Sequence, residues 1–317
     1  MRTLTFIEAL REALREEMLR DEQVYLIGED IATYHGGGPF RVMKGLLEEF
    51  GEERVIETPI SEDAIVGSSI GAALMGMKPV VEIMHSEFLV ACYQQLVYEA
   101  PRMRFVTDGK AAVPLVVRVP FGTAGSVSRN QGENPEAWFI HVPGLKVAMP
   151  STPYDAKGLL KAAIRDDNPV LFFEHKRLYK RTGQVPEEEY VIPLGKADVK
   201  REGRDVTIIA TAWMVHQALA AARALSEIGI DAEVVDPRTL LPLDKQTILQ
   251  SVRKTGRAVI VHEAAKTGGM GAEIAAVIAE EAFGDLTAPV IRVAAPDLPV
   301  IFPPTEGDII RAVMGIA

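Results

Sequence analysis

The segment Glu57-Thr58-Pro59-Ile60-Ser61-Glu62-Asp63 gathers carboxylates between an apolar strand pattern at Val55-Ile56 and an apolar helical pattern from about Asp63 to Met75. In an open α/β sheet, ligands bind beyond the carboxyl ends of the strands, so acids placed here have two readings. One is a cap of the helix, a job that suits Ser61 or Asp63. The other is acid–base chemistry, for which Glu62 is the candidate. Gly269-Met270-Gly271 follows a strand pattern and opens a helix, as in the dinucleotide fingerprint, but Ile274 stands where the third glycine belongs. The other reading there is a close-packed turn. The remaining reactive types are scattered. Histidines 35, 85, 141, 175, 216 and 262 form no H-E-x-x-H pair, and there is no G-x-S-x-G elbow and no Walker loop. The only cysteine, Cys92, excludes an intrachain disulfide and a thiolate metal cluster.

These residues need a scaffold, and the chain is long enough for about two domains at 317 residues. A net charge of −10 disfavours nucleic acid and a polybasic membrane anchor. No apolar run approaches the ~20 residues of a membrane span. Met1 to Thr5 leads directly into a helix opened by a Thr5–Glu8 capping box, so no signal or transit segment is expected. Strand patterns follow at Val24–Ile27, Val55-Ile56, Pro79–Ile83, Pro114–Val119, Leu145–Met149 and Val170–Glu174. Between them, helices are expected from about Asp63, over Glu87–Ala100, and from Thr152-Pro153. Residues 184–204, rich in charge, glycine and proline, read as a linker. Beyond it, strands at 206–210, 232–236, 258–262 and 290–293 alternate with helices near 213–228, 244–254, 270–282 and 306–314. The expected fold is α/β: two domains, 1–183 and 205–317, each a mostly parallel sheet with helices on both faces.

Several segments resemble one family: Glu57–Glu62; Val81-Glu82-Ile83-Met84 with Phe88; Pro143-Gly144-Leu145-Lys146-Val147; Pro150–Leu159; Ala163-Ile164-Arg165-Asp166; Val235-Asp236-Pro237-Arg238-Thr239; and His262-Glu263-Ala264 with Thr267-Gly268-Gly269. Together they are similar to the beta subunit of the decarboxylating component of 2-oxo acid dehydrogenase complexes, the group of pyruvate, branched-chain and acetoin enzymes. The resemblance runs through nearly the whole chain in order. It implies a pyrimidine-binding domain, a transketolase-like C-terminal domain and thiamine diphosphate as cofactor. It implies oxidative decarboxylation of a 2-oxo acid, with acyl transfer to lipoyl on a second component; the expected cytoplasmic location rests instead on the lack of a signal or transit pattern.

By the same resemblance, Glu62 faces the aminopyrimidine ring of the cofactor and trades a proton with it, which a dry pocket would favour by raising the carboxyl's pKa. Phe88 stacks on that ring, and Met84 and Ile60 line its pocket. Met84 and Phe88 are four residues apart and would share one side of a helical or tightly turned segment; ordinary core packing is the other reading. Leu115, Ala163, Ile164, Asp166 and Asn168 match positions that hold a structural potassium ion, largely through backbone carbonyls, or else form an ion-free helix end. Glu29-Asp30 resembles an interface acid, or is a solvated loop.

The family's Mg²⁺–diphosphate motif, G-D-G with a later asparagine, is missing. The resemblance therefore implies an alpha subunit that carries that half of the site, in a heterotetramer. One departure is Gln131, which stands where relatives commonly carry a histidine facing the reacting carbon. It puts lipoyl acylation in question and motivates a second reading, an acetoin-type or other thiamine-dependent relative with a different donor or acceptor. His85 and His35 are the substitute proton donors to consider; His141, His175 and His216 read as structural. A third reading, a non-catalytic scaffold subunit, is disfavoured by the intact Glu62, Met84 and Phe88.

Overall fold

The computed structural model describes residues 1–123 and 132–317. It divides into two compact units, Met1–Phe121 with Trp138–Leu194, and Gly122–Ala137 with Gly195–Ala317.

The first unit begins with β1 (Arg2–Thr5) and α1 (Phe6–Arg20). The expected capping box is present: Glu8 N donates to Thr5 Oγ1 at 3.2 Å, and Thr5 N donates to Glu8 Oε2 at 2.8 Å. Next come β2 (Val24–Glu29), α2 (Leu46–Phe50), β3 (Val55–Thr58), α3 (Glu62–Leu74) and β4 (Lys78–Glu82). They are followed by α4 (Ala100–Val106), β5 (Val116–Phe121), α5 (Glu136–Ile140), β6 (Lys146–Ala148), α6 (Pro153–Ile164), β7 (Val170–His175) and β8 (Thr182–Val185). Within this unit the central strands lie in the order β6-β7-β5-β4-β2-β3. Every neighbouring pair is parallel, and the inner strands are buried and mostly apolar.

Helix α6 starts as its sequence dictates: Thr152 caps it by accepting from Asp155 N, and Pro153 follows at the first position. It is tied to α1 by ion pairs, with Glu16 taking Lys157 and Lys161 at 2.7 Å each and Glu17 taking Arg165 at 2.6 Å. The single helix expected over Glu87–Ala100 is replaced by a 3₁₀ turn, Ser86–Val90, a π turn, Gln95–Glu99, and α4. Pro101 has no N–H to give to the turn before it, and the Ala100 N–H reaches back five residues to Gln95 O, which widens the helix there.

In the second unit, β9 (Asp198–Arg201), β10 (Val206–Ala210), α7 (Trp213–Glu227), β11 (Ala232–Asp236) and the short β12 (Thr239–Leu241) come first. Then follow α8 (Lys245–Thr255), β13 (Ala258–Ala265), α9 (Met270–Glu281), β14 (Ile291–Ala295) and α10 (Glu306–Met314). The sheet order is β14-β13-β10-β11-β9, parallel except for the antiparallel edge strand β9. Residues 184–204, expected as a linker, thus contain the end of β8 and all of β9. The charge-rich composition of β9 suits an edge strand.

The two faces of this sheet are distinguishable by period 2. Val206, Ile208 and Ala210 pack with α7 and α10 in one apolar cluster. Thr207 points the other way and meets Ser251 and Thr255 of α8 at 2.9 and 2.8 Å. The Gly269-Met270-Gly271 segment is the close-packed turn: a Cβ on Gly269 would sit 2.5 Å from Ala265 O, and one on Gly271 would sit 2.7 Å from the His262 ring.

Candidate active site

At the carboxyl edge of the first sheet, the parallel register places Glu29 beside Thr58 and Gly28 beside Glu82. Gly28 is required there, since a Cβ would lie 2.7 Å from Glu82 O. Helix α3 runs back over the face of β2 that carries Tyr25, Ile27 and Glu29. Ser69 hydrogen-bonds with the Tyr25 hydroxyl, and Glu62, two turns earlier, reaches the charge of Glu29. Glu62 is therefore the first residue of α3, half-buried and aimed at the strand ends.

Capping is done elsewhere. Asp63 Oδ1 accepts from Ala64 N at 2.8 Å and from Ser61 Oγ at 3.2 Å, while Glu62 makes no hydrogen bond among the described residues. Its neighbours are also short of partners, since Glu29 Oε2 and Thr58 Oγ1 are buried without one. Burial pushes the Glu29 carboxyl up, and the charges of Glu62 and Asp30 push it further. Glu29 is thus a buried, strand-terminal acid rather than part of a solvated loop. Cys92, close enough to feel Glu62, is pushed up to about 12 by burial and stays a thiol.

The other expected pocket residues follow strand ends in the chain, Ile60 after β3 and Met84 and Phe88 after β4. Ile60 is 79% exposed and Phe88 36% exposed, both unusually open for apolar side chains. Met84 follows β4 and is half-buried. Phe88 lies in a 3₁₀ turn, Ser86–Val90, and a ring that meets it is that of His85, with centroids 5.6 Å apart. Gln131 lies outside the described residues, as does the rest of 124–131.

The five residues matched to potassium binding come together where α6 ends and β7 begins. Asp166 N donates to Ala163 O at 3.2 Å and Val170 N to Leu115 O at 2.8 Å. Burial would raise the Asp166 carboxyl, but Lys146 and the Asn168 amide and side chain hold it low. Among the described residues, no three histidine, cysteine or acidic side chains converge on a metal position.

Two features escaped the sequence reading. The first is a buried ionic clamp across three strands: Arg118 Nη1 donates to Glu82 at 2.7 Å, while its Nε and Nη2 hold both oxygens of Glu174 at 2.7 and 2.8 Å. Burial would lower the guanidinium's pKa, but the two carboxylates outweigh it and raise it. Tyr179 completes the clamp with a 2.9 Å bond to Glu174. The signal was present in three charged residues set inside apolar strand patterns. The second feature is Glu136, the first residue of α5, a helix divided between the units after Ala137; it is 2% exposed, with a buried Oε2 lacking a partner among the described residues. Its burial, with a smaller push from Glu263, raises it to about 8.

A carboxyl raised in the folded state contributes stability while protonated. The contribution of Glu136 is complete below its ordinary value of 4.5 and fades as the pH climbs through about 8. Glu136→Gln, uncharged throughout, is expected to melt about as the parent does near pH 5 and to melt higher by about 5 °C near pH 9. Thermal scans at the two pH values check this; parallel melting of parent and variant at both would refute it.

Comparison with known proteins identifies both domains. Residues 2–182 match the transketolase pyrimidine-binding domain, and residues 195–310 match the transketolase C-terminal domain. The chain is 47% identical over 302 residues to the beta subunit of 2-oxoisovalerate dehydrogenase of Bacillus subtilis, covering 95% of this chain and 92% of that one. It is 47% identical to the pyruvate dehydrogenase E1 beta subunit of the same organism, covering 97% and 94%. It is 44% identical to that organism's acetoin:2,6-dichlorophenolindophenol oxidoreductase beta subunit, covering 97% and 93%. A solved split-gene transketolase, an inactive beta4 tetramer, shares the fold with a TM-score of 0.80 at 22% identity, covering 99% and 98%. With both of its domains matched and these relatives similar over nearly their full length, the chain belongs to the transketolase-like family of 2-oxo acid and acetoin dehydrogenase beta subunits.

Proposed function

We propose that this chain is the beta subunit of a thiamine diphosphate-dependent 2-oxo acid dehydrogenase that decarboxylates its substrate and passes the acyl group to a lipoyl acceptor. The observation that carries the reading is Glu62: a half-buried acid at the start of α3 whose carboxyl has no hydrogen-bond partner among the described residues and lies within electrostatic reach of the buried Glu29 at the end of β2. These groups suit an aminopyrimidine, a flat ring with polar nitrogens at its edge. The unpartnered Glu29 Oε2 and Thr58 Oγ1 add polar capacity at the same edge.

When bound, thiamine diphosphate supplies a nucleophilic carbon and an electron sink for the loss of carbon dioxide. Glu62 would hold and exchange a proton at the pyrimidine ring nitrogen. Glu29 lies within electrostatic reach of it, and burial together with the charge of Glu62 pushes the Glu29 carboxyl up. Phe88 would stack on the ring, and Ile60 and Met84 would exclude water from it. The carbonyls around Leu115, Ala163, Ile164, Asp166 and Asn168 would take a potassium ion that braces the α6–β7 junction. In this reading an alpha subunit supplies the Mg²⁺–diphosphate half of the site in a heterotetramer, and a lipoyl acyltransferase receives the acyl group in the cytoplasm.

One observation favours a second reading, an acetoin donor or a different acceptor. Gln131 cannot titrate, whereas the histidine expected at that position can. The chain co-purified with its alpha partner, assayed on a panel of pyruvate, branched-chain 2-oxo acids and acetoin with lipoyl domain and with an artificial electron acceptor, decides between them. Turnover of none of these donors would refute both readings. For the isolated chain, calorimetry with thiamine diphosphate and Mg²⁺ is expected to show no binding; micromolar affinity without a partner would contradict the shared site.

A further inference from the structure

His85 is a histidine that the acid–base chemistry above leaves unused. It precedes the Ser86–Val90 turn in an extended conformation, and its carbonyl accepts from Phe88 N at 3.1 Å. Side chains three apart eclipse in a 3₁₀ turn, which brings the imidazole against the phenyl ring. The two rings meet edge to face, with centroids 5.6 Å apart and planes at 87°. Phe40 meets the same imidazole at 6.0 Å and 82°. Phe40 in turn packs on Tyr179 at 5.1 Å, and Tyr179 is bonded to Glu174 of the buried Arg118 clamp. A chain of rings thus links the half-open Phe88 to the buried Arg118 clamp.

The imidazole's own polarity is poorly served in this setting, since its Nδ1 is buried without a partner. Burial and the charge of Lys176 push its pKa down, against a smaller upward push from Glu87, so the ring is neutral at neutral pH. What remains is its shape and its quadrupole.

We propose that His85 is a positioning residue, which together with Phe40 fixes the plane of Phe88 on which the aminopyrimidine ring stacks. The inference rests on the reading of Phe88 as that stacking surface. A ring held in place before its ligand arrives loses little rotamer freedom on binding, and edge-to-face contacts are directional enough to hold it.

The test is calorimetric affinity for thiamine diphosphate, with Mg²⁺, of the chain co-purified with its alpha partner. His85→Ala is expected to weaken binding about three- to tenfold, the range of one aromatic pair. His85→Leu, which fills the volume without a ring, should weaken it similarly, so that loss of packing alone is not the cause. His85→Phe should bind as the parent does. Thermal melts of each variant confirm that it is folded. Unchanged affinity in His85→Leu, or a loss in His85→Phe as large as in His85→Ala, overturns the proposal, the latter by assigning the effect to a ring nitrogen. If the parent assembly itself binds no thiamine diphosphate, the functional reading fails and takes this inference with it.

Discussion

Replacing Glu62 by glutamine is expected to slow deuterium exchange at the thiazolium carbon of bound thiamine diphosphate by ~100-fold or more, the lower range for a lost proton-transfer group. Glutamine keeps the length and planar head of the side chain but cannot give up or take up a proton in the working range. The fold should not suffer, because Glu62 makes no hydrogen bond within the described chain and Asp63 accepts from Ala64 N instead. Removing the negative charge of Glu62 should also ease the upward push on Glu29. Exchange followed by NMR on the assembly with its alpha partner, alongside the thermal melt, separates the two effects. An unchanged exchange rate would remove Glu62 from the mechanism; a large fall in melting temperature would make it a structural residue.

Arg118→Met should destabilise the first unit by about 3–5 kcal/mol, the usual cost of leaving a buried charge without its partner. Arg118 is fully buried, and the substitution strands two carboxylates, Glu82 at 3% and Glu174 at 0% exposure. Urea unfolding followed by a probe in the first unit would measure the loss. Converting Glu82 and Glu174 to glutamine in the same chain should recover part of it, because neutral amides are far cheaper to bury than unpaired carboxylates. A loss below about 1 kcal/mol in Arg118→Met, or no recovery in the triple variant, would show that the clamp does not stabilise the unit as argued.

The sequence by itself determined the two α/β units, because alternating strand and helix patterns are a local signal and parallel sheets write themselves as apolar runs. The α1 capping box, the Thr152-Pro153 start of α6 and the α7–α10 alternation depend on residues a few positions apart, and each stands where its pattern places it. The place of Glu62 at the junction of β3 and α3 was legible for the same reason, while its proposed role rests on the family resemblance.

Only the tertiary structure decided the rest. The hydrogen-bond ladder is broken ahead of Pro101, where a π turn forms, and a separate 3₁₀ turn after β4 sets the ring of His85 against Phe88. Glu82, Arg118 and Glu174 lie on three strands far apart in sequence, and only the parallel register brings them within bonding distance. The burial of Glu29 and Glu136 was equally invisible. A carboxylate's pKa depends on what surrounds it in space, and here that is supplied by segments distant in the chain: Glu62 of α3 beside Glu29, and Glu263 of β13 beside Glu136.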